Sequence, residues 1–147
     1  MKYLVINGPN INMLGIREPE IYGRETYEDL CNYIKKEADV MGDSVEIVQS
    51  NCEGKMIDYI HETYWSDVEG IVINAGAYTH YSYAILDALK AVSAKVPAVE
   101  VHLSDINKRD SFRQNSVIRP ACVDMVCGMG IPGYIEAAKK LKAYIQR

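Results

Sequence analysis

Two pairs of residues in this chain are of the types that move protons. Arg17 and Tyr22 lie close together in the stretch NGPNINMLGIREPEIYG, Asn7 to Gly23. A guanidinium beside a phenol favours the phenolate, the form that acts as a base near neutral pH. Glu100 and His102 flank Val101. On a strand, where successive side chains alternate, both face the same side. A carboxylate in that position fixes the imidazole tautomer and raises its proton affinity, which makes His102 a general acid. A buried structural ion pair is an equally good description of the same two residues.

Other polar residues sit near these pairs in the pattern. NGPN places a Gly-Pro turn ahead of Asn10, either to aim that side chain at a ligand or simply to close the turn. In NAGAYTH, small residues let the chain bend sharply while Asn74 and His80 offer polar groups, although His80 equally suits a cap on the following helix. Arg109 and Arg113 in KRDSFRQNS share a face if that stretch is a helical turn. One of them, Arg113, can meet an anionic or polyhydroxylated substrate, and Arg109 is read as a solvated surface residue. Leu103 and Ser104, leaving the strand of Glu100, can present backbone amides to a carboxylate. His61 falls on the exposed stripe of a helix and is given no role.

Positioning these groups requires a scaffold. YLVI (3–6), VEIV (45–48), GIVI (70–73), AVEV (98–101) and DMVC (124–127) read as strands. Between them Leu30, Ile34, Ala38 and Met41 recur at helical spacing behind Thr26, a good N-cap; Met56, Ile57, Ile60 and Tyr64 do the same, as do Ala84, Ala88 and Val92. A last helix, 135–145, follows Gly133. The βαβ alternation predicts an α/β three-layer sandwich, a five-stranded parallel sheet between helices, in the flavodoxin-like order 2-1-3-4-5. Ligands of such sheets bind at the carboxyl ends of strands 1 and 3, where Asn10, Asn74 to His80 and Glu100 to Ser104 would converge. The stretch Asn7 to Gly23 follows strand 1 without helical periodicity and reads as an active-site lid.

The 147 residues, 48% of them hydrophobic, suit a single domain over 1–147 with no linker. Sixteen basic residues against twenty acidic ones give a net charge of -4 without a basic stripe, which argues against nucleic acid. No stretch approaches the roughly 20 apolar residues of a membrane span, and MKYLVING lacks the apolar run of a signal peptide, so no membrane is expected and a cytoplasmic location is. Cys31, Cys52, Cys122 and Cys127 make no zinc pattern with His61, His80 or His102 and are read as reduced; no metal site is expected. NGPN is neither GxGxxG nor a P-loop, and it lacks the hydroxyl-rich turn of a flavin phosphate site.

Taken together, LVINGPNINMLGIREPEIYG, QSNCEGKMIDYIHE, INAGAYTHYSYAILDAL, VEVHLSDINKRDSFRQNS and GMGIPGY resemble, in order and over nearly the whole chain, the type II 3-dehydroquinate dehydratase family. The resemblance implies a flavodoxin-like enzyme of the shikimate pathway that reversibly removes water from 3-dehydroquinate through an enolate, without a cofactor. It implies Tyr22 as the base, Arg17 as the residue keeping it ionised, Asn10 as the holder of an enolate-stabilising water, and His102, backed by Glu100, as the acid. Asn74 would help place the leaving hydroxyl, His80 and Arg113 would hold ring hydroxyls, and the amides of Leu103 and Ser104 would take the carboxylate. Asp87 matches an aspartate supplied across a subunit interface, in a family that assembles as a homododecamer, a tetramer of trimers. The chain departs from the family at Tyr81, Tyr83, Asp105 and 118–124. Tyr81 and Tyr83 are expected to bear on the entrance or the subunit contact, and Asp105 on the carboxylate site. A noncatalytic flavodoxin-like binding module is the alternative, and it leaves the presence of Tyr22, Arg17, Asn10 and His102 unexplained.

Overall fold

The computed structural model describes residues 1–16 and 18–147, with the Tyr22 side chain outside that description. Five strands, β1 (Lys2–Asn7), β2 (Ser44–Gln49), β3 (Gly70–Asn74), β4 (Ala98–His102) and β5 (Asp124–Cys127), form a sheet in the order β2-β1-β3-β4-β5. All four pairings are parallel. The register sets Asn7 of β1 beside Gln49 of β2 and Asn74 of β3, and Ile73 beside Glu100 of β4. Gln49, Asn7 and Asn74 are therefore aligned in one row at the carboxyl ends, with Glu100 one register position behind it.

Side-chain alternation builds two cores. Leu4, Ile6, Ile71 and Ile73 pack on one face against α3 (Glu53–Thr63) and α4 (Tyr83–Val92), through Met56, Ile60, Ile85 and Leu89. Tyr3, Val5, Val72, Val99 and Val101 pack on the other against α2 (Tyr27–Val40) and α5 (Gly133–Ile145), through Leu30, Ile34, Tyr134 and Leu141. With both faces covered, strands β3 and β4 carry no exposed residue and are apolar apart from Asn74, Glu100 and His102. The start of α2 is set by a capping box: Asp29 N donates to Thr26 Oγ1 (3.1 Å) and Thr26 N to Asp29 Oδ2 (2.9 Å).

The segment after β1 holds more local structure than its sequence pattern announces. A 3-10 turn covers Ile11–Met13, and α1 (Pro19–Tyr22) is a single turn started by Pro19. Turns this short need no apolar periodicity, and proline at the first helical position supplies the required φ. Two glycines let the loops after β1 and β3 meet backbone to backbone. A Cβ on Gly8 would lie 2.6 Å from the Ala75 carbonyl oxygen, and Gly76, at φ +58, would set one 3.0 Å from the Pro9 oxygen. The loops bearing Asn10 and Asn74 are thus interlocked.

Candidate active site

A cavity of about 140 Å³ opens at the carboxyl ends of β1, β3 and β4, lined by Asn10, Asn74, His80, His102, Leu103, Ser104, Arg109 and Arg113 among others. Seven of the positions singled out from the sequence thus come together. Glu100 lies directly behind them, fully buried. Its Oε1 is 2.5 Å from His102 Nε2, and His102 itself is only 7% exposed. Arg17 and the Tyr22 side chain lie outside the described residues. Asp87 is exposed on α4 and does not line this cavity.

The hydrogen bonds determine which groups are left for a ligand. Burial alone would raise the proton affinity of Glu100, but hydrogen bonds from His102, Ser116 and Thr79 outweigh it and hold the carboxyl below its ordinary range. An ionised Glu100 requires the His102 Nε2 to carry a proton. That leaves Nδ1 as the ring nitrogen not held by Glu100. The imidazole is thereby fixed in one orientation against a buried carboxylate.

His80 is held by a different partner. Its Nδ1 is 2.8 Å from the Asn115 carbonyl, which can only accept, so Nδ1 carries the proton. Burial, together with His102, Arg113 and Arg109 nearby, lowers its proton affinity despite the Asn115 contact. Neutral His80 therefore keeps Nε2 as an acceptor, suited to a ligand hydroxyl. It does not cap the next helix; Ser82 does, accepting from Ile85 N at 3.0 Å.

Asn74 is braced from two sides. Its Oδ1 accepts from Gly76 N (3.1 Å) and its Nδ2 donates to the Tyr134 hydroxyl (3.0 Å), leaving one N–H and one lone pair. Tyr134 in turn donates to Asn7 Oδ1 at 2.7 Å. This tyrosine is in the core, unlike the half-buried surface role that suits most of the chain's tyrosines, and burial raises its pKa so that it stays a neutral phenol. Tyr134→Phe would strand two buried amides and is expected to cost about 1–3 kcal/mol of folding stability. Urea unfolding of the variant measures it.

The backbone at the end of β4 is also fixed. The Leu103 carbonyl accepts from Gly130 N at 2.9 Å. Because the peptide is trans, that contact turns the Ser104 N–H the opposite way, clear of the β5–α5 loop. Asn10, at φ 68, is held by its own N–H donating to Asn51 Oδ1 at 3.1 Å, and Gln49 Nε2 donates to the same oxygen at 3.1 Å.

Several features correct or extend the sequence-based expectations. Arg109 is not merely a surface residue: it lines the cavity with Arg113, and the two stand on separate turns, around Ile106–Lys108 and Ser111–Arg113. Among the described residues the lining holds these two cations and no carboxylate, a field that favours an anion. The Asp105 carboxylate is engaged by its own loop, accepting from Asn107 N at 3.0 Å, and lines the neighbouring cavity instead. Tyr81 and Tyr83 are 60% and 66% exposed and stand outside the lining. Thr79, Ser116, Asn7 and Tyr134 were given no role from the sequence, although each lies inside a motif already noticed: NAGAYTH, KRDSFRQNS, NGPN and GMGIPGY.

Comparison with known proteins agrees with this fold. Residues 1–142 match the family model described as Dehydroquinase class II. The 3-dehydroquinate dehydratase of Clostridium acetobutylicum is 53% identical over 147 residues, covering 100% of each chain. That of Caldicellulosiruptor bescii is 55% identical over 141 residues, 96% of each. The crystal structure of type II dehydroquinase from Butyrivibrio crossotus matches with a TM-score of 0.94 at 52% identity, covering 97% of each chain. With similarity of this degree along its whole length, on the same fold, the chain belongs to the class II dehydroquinase family.

Proposed function

We propose that this crevice dehydrates 3-dehydroquinate by stepwise proton transfer, with Tyr22 as base and His102 as acid. The chain is a 3-dehydroquinate dehydratase, a hydro-lyase whose reaction yields 3-dehydroshikimate in the shikimate pathway. The observation that carries the assignment of roles is the buried Glu100–His102 contact opening on a cation-lined crevice.

A proton on the carbon next to a ketone is weakly acidic, so its removal needs a positioned base and a stabilised oxyanion. Tyr22, kept ionised by Arg17, takes that proton. The electron pair of the broken C–H bond moves toward the ketone oxygen and forms an enolate, which a water held by Asn10 stabilises. The enolate then collapses: its electrons form the carbon–carbon double bond, the C–O bond to the hydroxyl breaks, and His102 gives a proton to that oxygen. Water leaves, and Tyr22 and His102 return to their starting protonation through solvent.

Asn74 helps place the departing hydroxyl, His80 and Arg113 hold the ring hydroxyls, and the amides of Leu103 and Ser104 hold the carboxylate. Asp87 reaches the site of a neighbouring subunit in a homododecamer, a tetramer of trimers. Its exposure on α4 supports that reading. The reading needs no cofactor or metal, and it treats 1–147 as a single catalytic domain working in the cytoplasm, without nucleic acid or membrane. No helix among the described residues is long and apolar enough to cross a bilayer.

The test is to add purified, assembled protein to 3-dehydroquinate and follow the ultraviolet absorbance of the conjugated enone, with and without prior borohydride treatment in the presence of ligand. Enone formation that survives borohydride is expected, because no imine forms. A folded sample that binds ligand without producing enone would make the protein a noncatalytic binding module. Inactivation by borohydride would require a lysine as nucleophile and overturn the roles of Tyr22 and His102.

A further inference from the structure

The Glu100 carboxylate is held by more than its histidine. Thr79 Oγ1 donates to Oε1 at 2.9 Å, and Ser116 Oγ stands 2.8 Å from Oε1 and 2.9 Å from Oε2. Of these donors, Ser116 is the one that reaches both oxygens. Its hydroxyl has a single proton and is not free to turn it elsewhere, because Arg119 N donates to the same oxygen at 3.2 Å. That bond fixes Ser116 as acceptor toward Arg119 and donor toward Glu100.

Ser116 also ends the loop that carries Arg109 and Arg113. On either side of it the chain is stitched to the β3 loop, through Asn115 O to His80 Nδ1 (2.8 Å) and Val117 N to Thr79 O (2.8 Å). We propose that Ser116 is a positioning residue for the acid: by donating to both oxygens of Glu100 it sets how tightly the Glu100–His102 pair holds the proton to be delivered, and it ties the arginine-bearing loop to that pair. The inference deepens the proposed function and rests on it.

The other titratable groups around the pair leave its titration readable. His80 faces it from the β3 loop, Arg109 and Arg113 from the loop after β4, Cys122 from the turn before β5 and Cys127 from β5. The arginines stay charged. Burial, with the charge of Glu100 adding to it, pushes the Cys122 thiol up to about 12, and burial with Asp105 raises Cys127. Burial lowers His80. Removing a donor destabilises a carboxylate more than a carboxylic acid, so loss of the Ser116 hydroxyl makes the Glu100–His102 pair bind its proton more tightly and release it at higher pH.

The experiment compares Ser116→Ala with Ser116→Thr in the assembled enzyme. It measures kcat from about pH 5 to 10 and titrates the three histidines by NMR of ring-labelled protein, with His102 assigned by its replacement. In Ser116→Ala, kcat should fall about tenfold, and the basic limb of its profile and the His102 titration should both move up by about one pH unit, KM changing less than kcat. Ser116→Thr should restore both. If Ser116→Ala does not fold, Ser116→Cys, a weak donor of similar size, carries the same expectation. A loss of activity with the limb and the titration unmoved would make Ser116 a structural residue only. The titration needs no turnover, so it tests Ser116 even in a protein that fails to dehydrate 3-dehydroquinate.

Discussion

Tyr22→Phe is expected to lower kcat by roughly 10²–10⁴-fold, the range for loss of a general base, while substrate binding stays within a few-fold of the parent. The variant removes one oxygen and keeps the ring, so whatever apolar contact the side chain makes with substrate survives. What disappears is the group that accepts the proton beside the ketone, and water at its own basicity is a poor replacement. Steady-state kinetics paired with calorimetric titration of a substrate analogue separate the two effects. Turnover near that of the parent would remove Tyr22 from the mechanism and leave the crevice without its base.

The other large effect is expected at His102. His102→Gln keeps a neutral donor that can reach the buried Glu100 carboxylate, so it avoids stranding that charge, an error that costs several kcal/mol when one partner of a buried pair is simply deleted. Gln cannot deliver a proton to the departing hydroxyl. Dehydration should therefore fall by roughly 10²–10⁴-fold. The first step, which belongs to Tyr22, should continue: in deuterated water the substrate should exchange its α-proton faster than it converts to the enone. Mass spectrometry of recovered substrate gives the exchange rate directly. Exchange that disappears in step with dehydration would assign His102 to binding or to the enolate rather than to the leaving group.

The sheet was readable because the order of the elements is local information. Each inner strand is a short apolar run, as burial on both faces requires, and each is followed by a helix stripe, so parallel pairing and the switch point follow from chirality rules. Glu100 and His102 were readable for the same reason, since period-two alternation decides their common face. Arg109 and Arg113 defeated that logic. The loop after β4 is built of separate 3-10 turns, so helical spacing says nothing about which arginine enters the crevice. Ser116 and Tyr134 were out of reach for another reason: a serine or tyrosine acquires its meaning from partners that only folding supplies, Glu100 for one and Asn7 and Asn74 for the other.

The hydroxyl of Tyr134 bonds residues 127 and 60 positions earlier in the chain, so the floor of the crevice depends on a helix that is among the last parts of this sequence to be made. During synthesis β1, β3 and their loops can emerge and collapse, but Asn7 and Asn74 have no common partner until α5 arrives. The polypeptide thus gains its catalytic geometry late and in one step. Chains shortened ahead of α5 should accumulate as collapsed, inactive species, and the interval before that helix docks is when the nascent enzyme most needs protection from aggregation.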